Sequence, residues 1–284
     1  MRLSSNFLYL FFVILFFLQG CTATGLREFE LYRQAYEAQF AEADALLVDI
    51  AKAERALWKA ADSSKKNKWF IAEDAAFYVE GTEPPLTHSL RGSLLAVREY
   101  NAALVALGGG ENADRLTGRL RGLGLDINSA YASVKVAVRA GNEAAQVAKV
   151  LAPGLEIAVV GINQSLKIAA RHQFSQRVVS TSKDVEVLFV GLRDAAPSIY
   201  IMLDAGDEYL FDSRPAVERS AAKDRRRAQV GGWVLLIDQS IATLKKAVQA
   251  AATPRTLDTS IDDLSAAALE LRILAEKVRA ERTR

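Results

Sequence analysis

From residue 26 onward, apolar side chains recur at alternating spacings of four and three along almost the whole chain. Phe29, Tyr36, Ala43, Ile50 and Leu57 follow one another every seven residues, with Phe40 and Leu47 between them. A second run holds Leu116, Leu120, Leu123, Ile127, Tyr131, Val134 and Val138, then the small residues Gly141, Ala145 and Ala148. Leu155, Val159, Ile162 and Leu166 continue it, and after a shift near Arg171 come Phe174, Val178, Thr181, Val185, Leu188 and Leu192. Val230, Val234, Ile237, Ile241, Leu244 and Val248 repeat the spacing, as do Leu257, Ile261, Leu264, Ala268, Leu271, Ala275 and Val278. Such a period lays one apolar stripe along each helix, and helices of this kind pack at the shallow angles of bundles and coiled coils. No segment alternates convincingly with the period of two that a half-buried strand requires. The pattern predicts an all-α protein.

Punctuation divides the stripes. Gly81-Thr82-Glu83-Pro84-Pro85 reads as a rigid loop with a proline placed to open a helix, and Gly108-Gly109-Gly110 closes that helix. Pro153-Gly154, Pro197, Ser213-Arg214-Pro215 and Thr253-Pro254 mark further breaks. The expected helices span 27–61, 67–79, 85–107, 112–151, 155–194, 198–212, 215–251 and 258–282, with Pro215 able either to divide two helices or to kink one. A forty-residue helix is about 60 Å long, and short connections make successive helices antiparallel. The expected architecture is therefore an elongated up-and-down antiparallel bundle, with a helical solenoid as the lesser alternative.

The N-terminal segment has a different pattern. Its first twenty-one residues carry one charge, Arg2, and the chain is almost wholly apolar from Phe7 to Leu18. That run is too short to span a bilayer, which takes about 20 apolar residues. A basic start, a short apolar core and small residues at the end have the form of an export signal. Leu18-Gln19-Gly20-Cys21 resembles the lipobox of bacterial lipoproteins: an aliphatic residue, a variable one, a small one, then cysteine. The resemblance covers about the first 21 residues, and Cys21 is the chain's one cysteine. It implies that residues 1–20 are a signal peptide and that Cys21 becomes a lipidated mature N-terminus. Residues 21–26 would then be a tether, and 27–284 a single helical domain. Thr22 rather than aspartate follows the cysteine, which resembles the class sorted to the periplasmic face of the outer membrane. The other readings are an ordinary secretory signal cut near Ala23-Thr24-Gly25, or an uncleaved signal anchor.

Several acyl chains at about 0.8 kcal/mol per buried methylene would hold the protein on the membrane. The residues between Cys21 and the first helix reach at most roughly 20 Å. A first helix leaving the membrane steeply would carry its far end on the order of 50 Å away. The turn near 108–111 and the C-terminal residues would return to the lipid side.

Composition and motifs narrow the chemistry. Without Arg2 the chain has 35 basic against 34 acidic residues, since the full sequence has 36 and 34. That balance gives no electrostatic footprint for nucleic acid. With Cys21 lipidated, no thiol remains for a disulfide, a thiolate metal site or a cysteine nucleophile. His88 and His172 lack acidic or cysteine neighbours at ligand spacing, and the ordinary reading of each is a surface or capping histidine. Ser63-Ser64-Lys65-Lys66 and Ser220-Ala221-Ala222-Lys223 match an S-x-x-K spacing, but the companion S-D-N and K-T-G elements are missing. There is no P-loop, G-x-S-x-G or dinucleotide fingerprint. No catalytic residue, cofactor or metal site is expected.

Asp204, Glu208 and Asp212 fall four residues apart with Asp207 beside them, a line of carboxylates on one helix face. The downstream basic run of Lys223, Arg225, Arg226 and Arg227 could pair with that line or meet a partner. A solvated face is the ordinary reading of both. The most distinctive stretch of the body is "KKNKWFIAEDAAFYVEG", residues 65–81. Its lysines lead into Trp69, Phe70, Phe77 and Tyr78, a grouping suited to a protein or membrane surface or, more ordinarily, to capping a bundle core with Trp58 nearby. Gly141, Ala144, Ala145, Ala148 and Ala152 form a small-residue face that permits close helix approach. Together these features predict a non-catalytic, lipid-anchored envelope protein whose bundle binds or spaces an envelope protein partner. The alternative is a carrier of an apolar small molecule such as a lipid or quinone within the bundle.

Overall fold

The computed structural model describes residues 26–65, 70–108, 113–139, 142–167, 174–211, 213–252 and 259–282. Cys21, Trp69, His172 and Asp212 lie outside them. The described residues form eight long helices and a single-turn one, with no strand among them. They are α1 (Leu26–Lys65), α2 (Ala75–Tyr78, entered through a 3-10 turn at Ala72–Asp74), α3 (Pro85–Gly108), α4 (Ala113–Val138) and α5 (Glu143–Lys167). After them come α6 (Phe174–Asp194), α7 (Ala196–Phe211), α8 (Ala216–Ala252) and α9 (Thr259–Arg282).

The stripes read from the sequence become one continuous core. Phe29, Tyr36, Leu47, Ile50, Leu123, Ile127, Leu155, Leu188, Ile237, Leu244, Leu264 and Leu271 are all buried in it. Each such leucine or isoleucine contributes about 1.5–3 kcal/mol by leaving water. Cross-helix pairs show how the helices run. Tyr32 Oη donates to Asn101 Oδ1 at 2.6 Å and Tyr36 Oη to the Leu94 carbonyl at 3.0 Å, so α1 and α3 are antiparallel. Trp233 Nε1 donates to the Leu192 carbonyl at 3.1 Å, and Lys245 pairs with Glu186 at 2.7 Å, setting α8 antiparallel to α6. Lys246 pairs with Asp263 at 2.7 Å, while Val278 packs on Gly232, which turns α9 back along α8. The last helix also packs on the first, closing the bundle.

Four expectations differ from the observed elements. Pro153-Gly154 does not end a helix, because α5 runs through it. Pro153 is exposed, so the carbonyl that its missing N–H leaves unpaired can face water. Gly154 instead lets α6 approach closely: a Cβ there would stand 3.4 Å from the Val187 carbonyl oxygen and 3.5 Å from Gly191 Cα. The helix expected over 112–151 breaks earlier, before Asn142, whose Oδ1 accepts from the Ala144 N–H at 3.0 Å and caps α5. Pro197 bends rather than breaks. Helical bonding continues through it, from Ala195 N to the Gly191 carbonyl at 3.1 Å and from Ile199 N to the Ala195 carbonyl at 2.9 Å. Consequently α6 and α7 both lie antiparallel to α8 as two limbs of one bent rod. The helix expected over 67–79 is only the 3-10 turn and α2.

These changes alter the parity of the bundle. The end of α3 returns to the start of α1. The C-terminal end of α9 does not: Arg279 and Arg282 reach Glu42, at 3.5 and 3.1 Å, well up α1. The segment Glu143–Gln164 is long and apolar enough to cross a membrane by length and composition, with 44% of its most apolar window buried in the bundle.

Candidate functional site

At the tip of the bundle, α1 meets the start of α3 where Glu54 reaches Leu86, the end of α7 where Gly206 stands against Ala53, and the start of α8 where Gln229 reaches Asp49. Two adjacent α1 residues hold the connecting segment against this tip. Glu54 is 1% exposed and points at the start of α3. Its carboxylate accepts from the Leu86 N–H at 2.8 Å, the Thr87 N–H at 2.9 Å and Thr87 Oγ1 at 2.9 Å, capping α3 from another helix. Burial outweighs these three donors and raises its pKa to about 7. Arg55, one residue on, gathers the opposite polarity. It donates to the carbonyls of Ala76, Phe77 and Val79 at 3.0, 3.2 and 2.9 Å, and to that of Thr82. Thr82 Oγ1 donates to the Ala76 and Val79 carbonyls, and Gly81 takes the φ of 95° that closes the turn.

Aromatic side chains fill the angle between this turn and α1. Trp58 stacks on Phe77 with ring centroids 5.1 Å apart, and meets Tyr78 edge-on at 4.8 Å. Phe70 lies against the outer side of Tyr78 at 5.2 Å. The aromatics named from the sequence thus divide. Phe77 is 2% exposed and belongs to the packing, not to an accessible surface, whereas Phe70 is 73% and Tyr78 41% exposed.

The basic run divides too. Arg226 turns inward, with Nη2 2.5 Å from Asp204 and Nη1 2.6 Å from Asp207, and Arg214 also pairs with Asp207. Lys223 meets Asp204 at 3.4 Å. Asp204 and Asp207 therefore hold Lys223 and Arg226 across the α7–α8 hairpin, and Arg226, buried and paired, is not a free cation for a partner. Arg227 is exposed and pairs with Asp224 at 3.0 Å. Arg225 is exposed and lines a cleft.

That cleft has a volume of about 770 Å³ and is open to solvent, bounded by α1, the end of α7, the start of α8 and the turn at 80–83. Ala56 and Ala222 lie at its floor; Val48, Tyr209 and Phe211, each about half exposed, stand at its edges. Seven basic side chains against four acidic ones line it. Lys59 and Arg225 have no ion-pair partner among the described residues, while Arg91 is held by Asp44 and Glu83. The buried carboxyl of Glu54 faces α3 and does not line the cleft. His88 Nε2 lies 3.1 Å from Ser129 Oγ, on the α3–α4 side of the bundle. Among the described residues no group of three His, Cys, Asp or Glu could hold a metal ion.

Glu54 and Arg55 were not singled out by motif. A signal for the first exists in the stripe itself: after Phe40 and Leu47, the next inward position seven residues on is an acid, Glu54. No protein-family model, curated protein or solved structure matches the chain.

Proposed function

We propose that the protein is a lipid-anchored cell-envelope component, held at Cys21 on the periplasmic face of the outer membrane, whose helical bundle presents a partner-binding tip away from the lipid. The lipobox-like Leu18-Gln19-Gly20-Cys21 supports the anchor. Only residues 22–25 separate Cys21 from α1, so the anchor and the start of the bundle are close. The observation that carries the binding half of the reading is the cleft at the opposite end of α1, where the lining residues Val48, Tyr209, Leu210 and Phe211 leave about half of their apolar surface in water. Apolar surface clustered in this way marks interaction sites.

The anchor is tested by metabolic labelling with palmitate. Label should enter the wild-type protein, disappear with Cys21→Ser, and follow the protein into the outer-membrane fraction; label retained in Cys21→Ser overturns it. Binding is tested by photocrosslinking from several surface positions in intact cells of the source organism. Recovery of lipid adducts alone would replace partner binding by carriage of an apolar molecule.

A further inference from the structure

The helix α9 lies in the groove between α1 and α8, packed on both. On α8 its contacts follow one stripe. Lys246 meets Asp263, the Thr243 hydroxyl donates to the Ala267 carbonyl at 3.3 Å, Gln239 meets Glu270, and Gly232 meets Val278. On α1 its last turn reaches Glu42. The two flanking helices do not stop there. The same side of α8 continues through Gln229, Arg225 and Ala222, and that of α1 through Asp49, Lys52, Ala56 and Lys59, and these residues line the cleft. Gln229 Nε2 lies 3.4 Å from Asp49 Oδ2, joining the two helices beside the last turn of α9. The cleft is the prolongation of a groove that already holds a helix.

We propose that this prolongation is the docking site for an acidic amphipathic helix of a partner protein, seated end to end with α9. The inference deepens the partner-binding half of the reading above and is independent of the anchor. Shape argues for a helix, because the groove is continuous with the α9 interface and its floor is small. Ala56 and Ala222 leave room for large side chains of the occupant at spacings of three and four, the helix-in-groove mode of recognition. Charge sets its sign. Lys52 is paired with Asp49, which also lines the cleft, so the unpaired cations of the lining are Lys59 and Arg225, neither with an ion-pair partner among the described residues. Carboxylates flanking the occupant's apolar face would meet them, giving specificity and faster encounter.

The test uses the full chain in intact cells of the source organism, with a benzophenone side chain in place of Lys59 or, as a control on the far side of the bundle, of Gln146. The crosslinked peptides are sequenced. The expected result is an acidic, amphipathic helical segment of another protein captured from position 59, at least tenfold above position 146. Lys52→Glu with Arg225→Glu, both at exposed positions, should reduce that capture at least fivefold while the far-ultraviolet circular dichroism stays unchanged. Capture of a neutral or basic segment, of a second copy of this chain, or of no protein at position 59 overturns the inference. A partner captured only from position 146 overturns it and leaves partner binding standing. Lipid alone at both positions overturns both.

Discussion

The groove between α1 and α8 has two lengths that differ in what they are made of. In the first, α9 lies on it and brings Leu264, Ala268, Leu271 and Ala275 into the common core, all at most 2% exposed. The pair of Lys246 with Asp263 lies at the edge, whereas Glu42 is buried and takes Arg282 at 3.1 Å. In the second, the same two helices carry alanine at the floor and cations on the walls, and order is maintained by polar latches. Glu54, Arg55 and the Arg226 cluster hold the tip in place of a thick apolar layer. Val48, Tyr209 and Phe211 around this second length stay about half exposed, apolar surface that the proposed partner binding would cover.

Breaking a latch should cost more than altering a wall. Arg226→Leu leaves Asp204 and Asp207 without their buried partner and should lower unfolding stability by about 3 kcal/mol, read from urea midpoints. Gly206→Leu should cost about 2–3 kcal/mol, because even a Cβ at that position would stand 2.7 Å from Ala53 Cα, where α7 crosses α1.

The cap at Glu54 gives a pH signature. Its pKa is about 7 in the folded protein against 4.5 as the ordinary value, so the folded state holds this proton more tightly than the unfolded chain. The stability this adds is fully present below about pH 4.5, declines as pH rises to about 7 and is level above that, a change on the order of 3 kcal/mol. Denaturation of the wild type and Glu54→Gln at pH 5 and pH 8 should show the wild type losing stability relative to the variant as pH rises. Parallel curves would mean that the carboxylate is already charged at pH 5.

Much of this was legible in the sequence. The four–three stripes specified the helices and the core because burial depends on periodicity alone, as Ile50, Leu123 and Leu244 illustrate. The tip was less legible. Periodicity does not say which of several charges pairs across a hairpin, so Arg226 looked equivalent to Arg225 and Arg227. Nor does it distinguish the buried Phe77 from the exposed Phe70 within one aromatic group. Proline at 153 and 197 does not stop its helix, because tertiary packing keeps the helix going, and Asn142 caps one through its own side chain. The parity of the bundle followed from those local choices, and with it the position of the end of α9. An acid on an apolar stripe at Glu54 was the clearest clue available to the latch.

The smallest expected effect on folding is also a check on the walls. Lys59→Glu with Arg225→Glu should change the unfolding stability, read from the urea midpoint, by no more than about 0.5 kcal/mol, since both side chains are exposed and lack ion-pair partners among the described residues. A loss of several kcal/mol would mean that these cations are structural rather than presented to a partner.

Hydrogen–deuterium exchange along α8 in the purified full chain addresses the two-length groove most directly. The account predicts strong protection from about Gly232 to Val248, where α9 covers the helix, falling toward Ala216 through the cleft-lining residues Gln229, Arg225 and Ala222. Uniform protection from 216 to 248 would contradict it, because the prolongation of the groove would then already be covered by the protein itself.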